Sequence, residues 1–180
     1  MTCKLSAGYY RVLVLLLVFG IFSKTAYADI VVGKPAPAFT LYDQHEHKHS
    51  LEDYAGKWLV LYFYPKDDTP GCTIEACKFR DDYQQILSLG AEILGVSLDS
   101  TDSHARFASD HNLPFPLLSD PDGKVAREYG CLFKVGPFKL AKRNTFIIDK
   151  QGNVARIYRN VDPRRHSEQI ITDLRQLQSK

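Results

Sequence analysis

Seven consecutive residues, Trp58-Leu-Val-Leu-Tyr-Phe-Tyr64, form an apolar run that stops on Pro65. A run this short and this aromatic, closed by a proline, predicts a buried central strand. Four residues further on, Thr69 suits the N-cap of a helix. Pro70 suits the first helical position, where its fixed φ is already helical and its missing N–H has no partner to lose. The next dozen residues are helix-compatible. The chain is therefore committed to a strand–turn–helix unit with Cys72 in the first turn of the helix.

That position has chemical consequences. The first backbone N–H groups of a helix lack carbonyl partners, so they favour an anion and lower the pKa of a cysteine placed among them. Asp67 and Asp68 oppose this unless they point to solvent, and a cation from elsewhere in the fold is called for. A second cysteine, Cys77, follows five residues later. On an ideal helix that spacing separates the Cα atoms by roughly 8–9 Å, beyond the usual disulfide range of about 4.4–6.8 Å. A permanent bond between the two would argue against the helix. A transient bond requires the first turns to unwind, and the spacing is read here as two conformations linked by redox state.

Pro65-x-x-x-Thr69-x-x-Cys72 resembles the active-site pattern of the peroxiredoxins, and Cys77 matches the resolving cysteine of their bacterioferritin-comigratory or peroxiredoxin Q group. Arg143, in Arg-Asn-Thr-Phe-Ile-Ile-Asp149, matches the distant arginine that completes the family's site. Gly95-Val-Ser-Leu-Asp99 and Leu118-Ser-Asp-Pro-Asp-Gly-Lys124 are similar to family segments, and the likeness runs from about Val32 to near the C-terminus. The resemblance implies an α/β, thioredoxin-like fold, a mixed central sheet flanked by helices. It implies a thioredoxin-dependent peroxidase that reduces hydrogen peroxide and organic hydroperoxides through a sulfenic acid on Cys72 and a Cys72–Cys77 disulfide, recycled by a thioredoxin-like dithiol. It assigns Thr69 a contact to a peroxide oxygen, Pro65 the shielding of the thiolate from water, and Glu75 the orientation of Arg143. It implies no metal or organic cofactor and most often a monomer, with a dimer as the alternative.

Residues 1–28 read separately. Lys4 and Arg11 precede an apolar run, Val12 to Phe22, and Ala26-Tyr27-Ala28 is an A-x-A cleavage signal. Eleven residues are too few for a bilayer, which needs about 20. The expectation is a secretory signal peptide cleaved after Ala28, with an uncleaved anchor as the alternative, and a single domain over 29–180. The protein is then exported, to the periplasm in a Gram-negative source, with no stable membrane association once the leader is gone. The chain has 23 Lys+Arg and 21 Asp+Glu, but three of the bases (Lys4, Arg11, Lys24) and none of the acids lie in the leader. The remaining 20 bases against 21 acids give no charge argument for nucleic acid.

The rest of the chain alternates. Strands are expected at Ala38–Tyr42, His47–Leu51, Ala91–Leu98, Pro116–Ser119, Thr145–Asp149 and Val154–Arg159, the last two joined by the hairpin turn Lys150-Gln-Gly-Asn153. Helices are expected from Cys72 to about Leu89, over Thr101–His111 with Thr101 as N-cap, over Lys124–Tyr129, and over Arg165–Leu177 with Ile170, Ile171, Leu174 and Leu177 on one side. Strand–helix–strand order followed by a hairpin implies a mixed sheet covered by helices.

Two features invite other readings. His45-Glu46-His47-Lys48-His49 alternates like a metal site on a strand, but it falls where a polar hairpin turn belongs. Cys131 has no counterpart in the motif and reads as structural, with a role as a second resolving partner as the alternative. The competing function is an exported thiol–disulfide oxidoreductase acting on protein disulfides. That chemistry uses Cys-x-x-Cys, which is absent here.

Overall fold

The computed structural model describes residues 30–179, so the leader expected over residues 1–28 lies outside the described residues. The apolar run forms β3 (Trp58–Phe63), an interior strand of a seven-stranded sheet. The other strands are β1 (Thr40–Tyr42), β2 (Lys48–Ser50), β4 (Ala91–Ser97), β5 (Leu117–Ser119), β8 (Asn144–Ile148) and β9 (Val154–Arg159), in the order β2-β1-β5-β4-β3-β8-β9. Strands β3, β4 and β5 run parallel, whereas β1, β8 and β9 join antiparallel to their neighbours, so the sheet is mixed as expected.

Successive side chains of β3 point to opposite faces, and this divides the core in two. Val60, Tyr62 and Tyr64 face one layer with Phe79, Ile86, Phe107, Phe115, Ile170 and Leu174. Leu59, Leu61 and Phe63 face the other, with Val125, Ala126, Tyr129 and Phe146. The helices are α1 (Pro70–Asp81), α2 (Tyr83–Ser88), α3 (Thr101–His111), α4 (Lys124–Glu128) and α5 (His166–Gln178). Phe79 on α1 is fully buried and stacks on Tyr62 at 4.9 Å between centroids. Truncating such a side chain costs about 3–5 kcal/mol, so the later part of α1 is anchored in the core.

Three local expectations are corrected. The cysteine helix does not run unbroken to Leu89, because Asp82 (φ −96°, ψ 4°) leaves helical geometry and divides it into α1 and α2. The N-cap of α3 is Ser100, not Thr101; its hydroxyl accepts from the Ser103 N–H at 3.3 Å. A second, two-stranded sheet, β6 (Leu132–Val135) with β7 (Phe138–Ala141), was not expected. Its signal is the alternation Phe133-Lys-Val135 and Phe138-Lys-Leu140 around Gly136-Pro137, the period of a strand. Phe133, Val135, Phe138 and Leu140 of this hairpin are exposed, and only Leu132 and Ala141 at its base pack on the core. The Asp43–His47 segment forms the expected hairpin turn, with Asp43 Oδ1 accepting from the His45 and His47 N–H groups.

Candidate active site

Topology brings the site together. Because β8 runs antiparallel to β3, its first residue, Asn144, pairs with the last residue of β3, Phe63. The residue before β8, Arg143, therefore lies where the chain leaves β3 for α1, although it is 71 residues from Cys72. Thr69 occupies the N-cap with extended backbone, Pro70 and Gly71 follow, and Cys72 is the third residue of α1. Cys72 is 2% exposed, and its sulfur accepts a hydrogen bond from Arg143 Nη2 at 3.2 Å. This guanidinium is the cation that the aspartates made desirable. Gly71 eases its approach, since a Cβ there would sit a tight 3.2 Å from Arg143 Nη2 and 3.9 Å from Pro163 Cγ. Lys142, next in the chain, is exposed.

Glu75 lies one helical turn after Cys72 and is 1% exposed. Its Oε2 accepts from Arg143 Nη1, so one guanidinium bridges sulfur and carboxylate. Burial pushes the Glu75 carboxyl up to about 7, against the opposing pull of Arg143. Among the described residues, Glu75 Oε1 has no hydrogen-bond partner. Thr69 is the N-cap by its backbone only. Its hydroxyl donates to the Lys66 carbonyl at 3.0 Å rather than accepting from the helix, which corrects the expectation of a side-chain cap. Pro65 is half-buried at the end of β3.

The two aspartates separate. Asp68 is exposed, 3.6 Å from His111 Nε2, with a left-handed φ of 56°. Asp67 does not face solvent. It enters a buried cluster, accepting from the Tyr64 hydroxyl (2.7 Å), the Ser103 hydroxyl (2.7 Å) and His104 Nδ1 (2.9 Å). Burial raises its pKa, but these donors outweigh it and hold the carboxyl below its ordinary value. None of these partners stands out in the sequence, because α3 meets the turn only in the fold.

Cys72, Cys77 and Cys131 are all free thiols. Cys77 is half-buried on α1, in the helical state that keeps it too far from Cys72 to bond. Cys131 belongs to the core layer on the other side of β3 from Cys72, so the sheet stands between them. Of the suspected metal stretch, His47 is exposed, and His49 is committed to the Tyr54 hydroxyl (2.7 Å) and Asp43 Oδ2 (3.0 Å). Among the described residues, no three His, Cys, Asp or Glu side chains are grouped to hold a metal.

The site is thus a buried sulfur at a helix start, covered by an arginine that a carboxylate fixes from behind. Comparison with known proteins gives the family. Residues 32–157 match the AhpC/TSA family. The chain is 43% identical over 155 residues to the chloroplastic peroxiredoxin Q of Sedum lineare, covering 84% of this chain and 81% of that one. It is 43% identical over 147 residues to a putative peroxiredoxin Bcp of Coxiella burnetii, covering 79% of this chain and 97% of that one. Its fold overlays the bacterioferritin comigratory protein of Xanthomonas campestris with a TM-score of 0.75 at 33% identity, over 82% of this chain and 98% of the other. The chain belongs to the AhpC/TSA family and, within it, to the peroxiredoxins of the Q and bacterioferritin-comigratory group.

Proposed function

We propose that this peroxiredoxin reduces hydrogen peroxide and organic hydroperoxides at Cys72, and the observation that carries this is the Arg143 guanidinium seated on the Cys72 sulfur at a helix start. The sulfur attacks one oxygen of the O–O bond, and the bond's electron pair leaves with the other. Arg143 and the first-turn N–H groups stabilise the charge developing there. Thr69 donates to Lys66, which leaves its oxygen lone pairs to accept from the peroxide O–H. The departing oxygen takes a proton and leaves as water or an alcohol, and Cys72 is left as a sulfenic acid.

The first turns of α1 then unwind. The Cys77 sulfur attacks the Cys72 sulfur, the S–O bond breaks, and water leaves as the disulfide forms. A thioredoxin-like dithiol supplies the two electrons and two protons that restore both thiols. The solved Xanthomonas relative is described by its alkyl peroxide reduction activity, which supports organic hydroperoxides as substrates. The protein-disulfide alternative is not favoured, because the family pattern is that of a peroxidase. We further propose that the chain is exported, begins at Asp29 after cleavage and acts as a monomer. The leader pattern in residues 1–28 supports export, and no helix among the described residues is long and apolar enough to cross a membrane.

The test is intact mass after rapid mixing of the reduced protein with one equivalent of peroxide. Wild type loses two hydrogens and Cys77→Ser gains one oxygen. If Cys72→Ser is oxidised as fast as wild type, the reading is wrong. The mass of the secreted form and its sedimentation coefficient check the cleavage point and the monomer.

A further inference from the structure

The buried cluster around Asp67 does something that a turn on a surface loop does not require. Its carboxylate accepts three side-chain hydrogen bonds, Oδ1 from Tyr64 and Oδ2 from Ser103 and His104. Its backbone N–H also donates to Asp99 Oδ2 at 2.9 Å, and Asp99 Oδ2 in turn accepts from the Ser97 hydroxyl at 2.7 Å. Main chain and side chain of one residue are thus fixed from the residue that follows β3, from the segment following β4 and from α3. His104 is fully buried, so this is a water-excluded charge, a costly arrangement for a loop that could have remained solvated.

What that anchor holds is the turn before the reactive helix. The next residue, Asp68, is in the left-handed region, which Asp tolerates better than most residues with a Cβ but which still marks a sharp, defined turn. After it, the Thr69 hydroxyl donates to the carbonyl of Lys66, on the other side of Asp67 in the chain. The direction of the Thr69 lone pairs therefore follows from where residues 66–68 are held. The anchor also lies upstream of α1, so unwinding of the helix start leaves it in place.

We infer that Asp67 is a positioning residue for peroxide reduction: clamped by Tyr64, Ser103 and His104, it fixes the Lys66–Thr69 turn that aims the Thr69 hydroxyl at the peroxide. This rests on the reading that Thr69 contacts the peroxide. The clamp acts on the geometry of the oxygen contacts and not on the sulfur itself. A reagent that reacts with Cys72 without needing those contacts is insensitive to it.

The experiment compares two stopped-flow rates for the reduced full-length protein, with hydrogen peroxide and with iodoacetamide, for wild type, Asp67→Asn, His104→Leu, His104→Asn and Ser103→Ala. Misplacing a reacting group by about 1 Å can cost about a hundredfold in rate. Asp67→Asn and His104→Leu are accordingly expected to slow the peroxide reaction by about 10- to 100-fold while the iodoacetamide rate stays within about threefold. His104→Asn, which keeps a donor near the Nδ1 position, restores the peroxide rate to within about threefold of wild type. Should Asp67→Asn fail to fold, Ser103→Ala, which removes one donor, is the deciding variant, with a peroxide-specific loss of about three- to tenfold. Peroxide rates equal to wild type in the folded variants overturn the inference, and so does a parallel fall in both rates. Thr69→Val separates the two readings: if it leaves the peroxide rate unchanged, the assignment of Thr69 fails, whereas a slow Thr69→Val beside a fast Asp67→Asn removes only the clamp.

Discussion

Cys72 and Cys131 are both buried thiols, 2% and 0% exposed, yet their surroundings differ in kind. Cys72 sits at the start of a helix under a guanidinium. The Cys131 S–H donates to the Tyr129 carbonyl at 3.4 Å, and its sulfur receives only a neutral amide, Asn144 Nδ2, at 3.5 Å. Burial pushes the Cys131 thiol up to about 12. Burial alone therefore makes a thiol inert. What distinguishes Cys72 is the cation that comes with its burial, and that cation is itself held by Glu75.

The largest expected difference between the two thiols is catalytic. Cys72→Ser should lower peroxide consumption by about a thousandfold or more, while Cys131→Ser changes it by no more than about threefold. Comparable losses in both would break the distinction. Next is alkylation. With a pKa of about 12, the thiolate fraction of Cys131 is about a thousandfold below that of an ordinary thiol near 9, and it grows only as pH rises toward that value. Peptide mapping after iodoacetamide at pH 8 should find Cys72 and Cys77 modified and Cys131 spared. Arg143→Met tests the cation, and loss of one such donor typically costs about 10²–10³ in rate, or about 3–4 kcal/mol. Second-order rates with peroxide check it, and a loss below about tenfold would show that the helix start suffices.

The smallest effect concerns Glu75, whose folded pKa of about 7 lies above its ordinary 4.5. At low pH the carboxyl is protonated in both the folded and the unfolded chain. As pH rises past about 4.5 the unfolded chain ionises first, so stability contributed by the protonated native form is lost up to about pH 7 and constant beyond. Relative to wild type, Glu75→Gln should gain about 3 kcal/mol between pH 4.5 and 8 in denaturant titrations. A difference that is flat with pH would mean that Glu75 is ionised throughout and acts only as the anchor of Arg143.

The half of this comparison that belongs to Cys72 was largely legible in the sequence, because it is local. The run from Trp58 to Tyr64, Pro65, Thr69 and Pro70 announces a strand, a turn and a helix within fifteen residues, and the structure follows it. Arg143 was found through family likeness and not through pattern, since its approach depends on the antiparallel pairing of β8 with β3. The Asp67 cluster left no trace in the sequence. Tyr64, Ser103 and His104 look like any buried aromatic, helix hydroxyl and helix histidine until α3 is laid against the turn. The division of the cysteine helix at Asp82 was missed for the opposite reason, because apolar spacing continues through the break to Ile86, which is fully buried. Cys131 was read as structural from its lack of a motif; the layer it occupies supplies the physical reason, a β-sheet between it and Cys72.

Gly71 lies against the Arg143 guanidinium that covers the sulfur. Its second consequence concerns how tightly the helix start is wound. Glycine costs a helix about 1 kcal/mol relative to alanine because its unfolded backbone is freer. Placed between Pro70 and Cys72, it makes the opening turn of α1 freer once unwound, so the contacts of Cys72 and Glu75 with Arg143 do much of the work of holding that turn. The residue that admits the arginine thus also lowers the work of letting the first cysteine swing out toward the second, so that a single missing methyl serves both the attack on peroxide and the step that follows it.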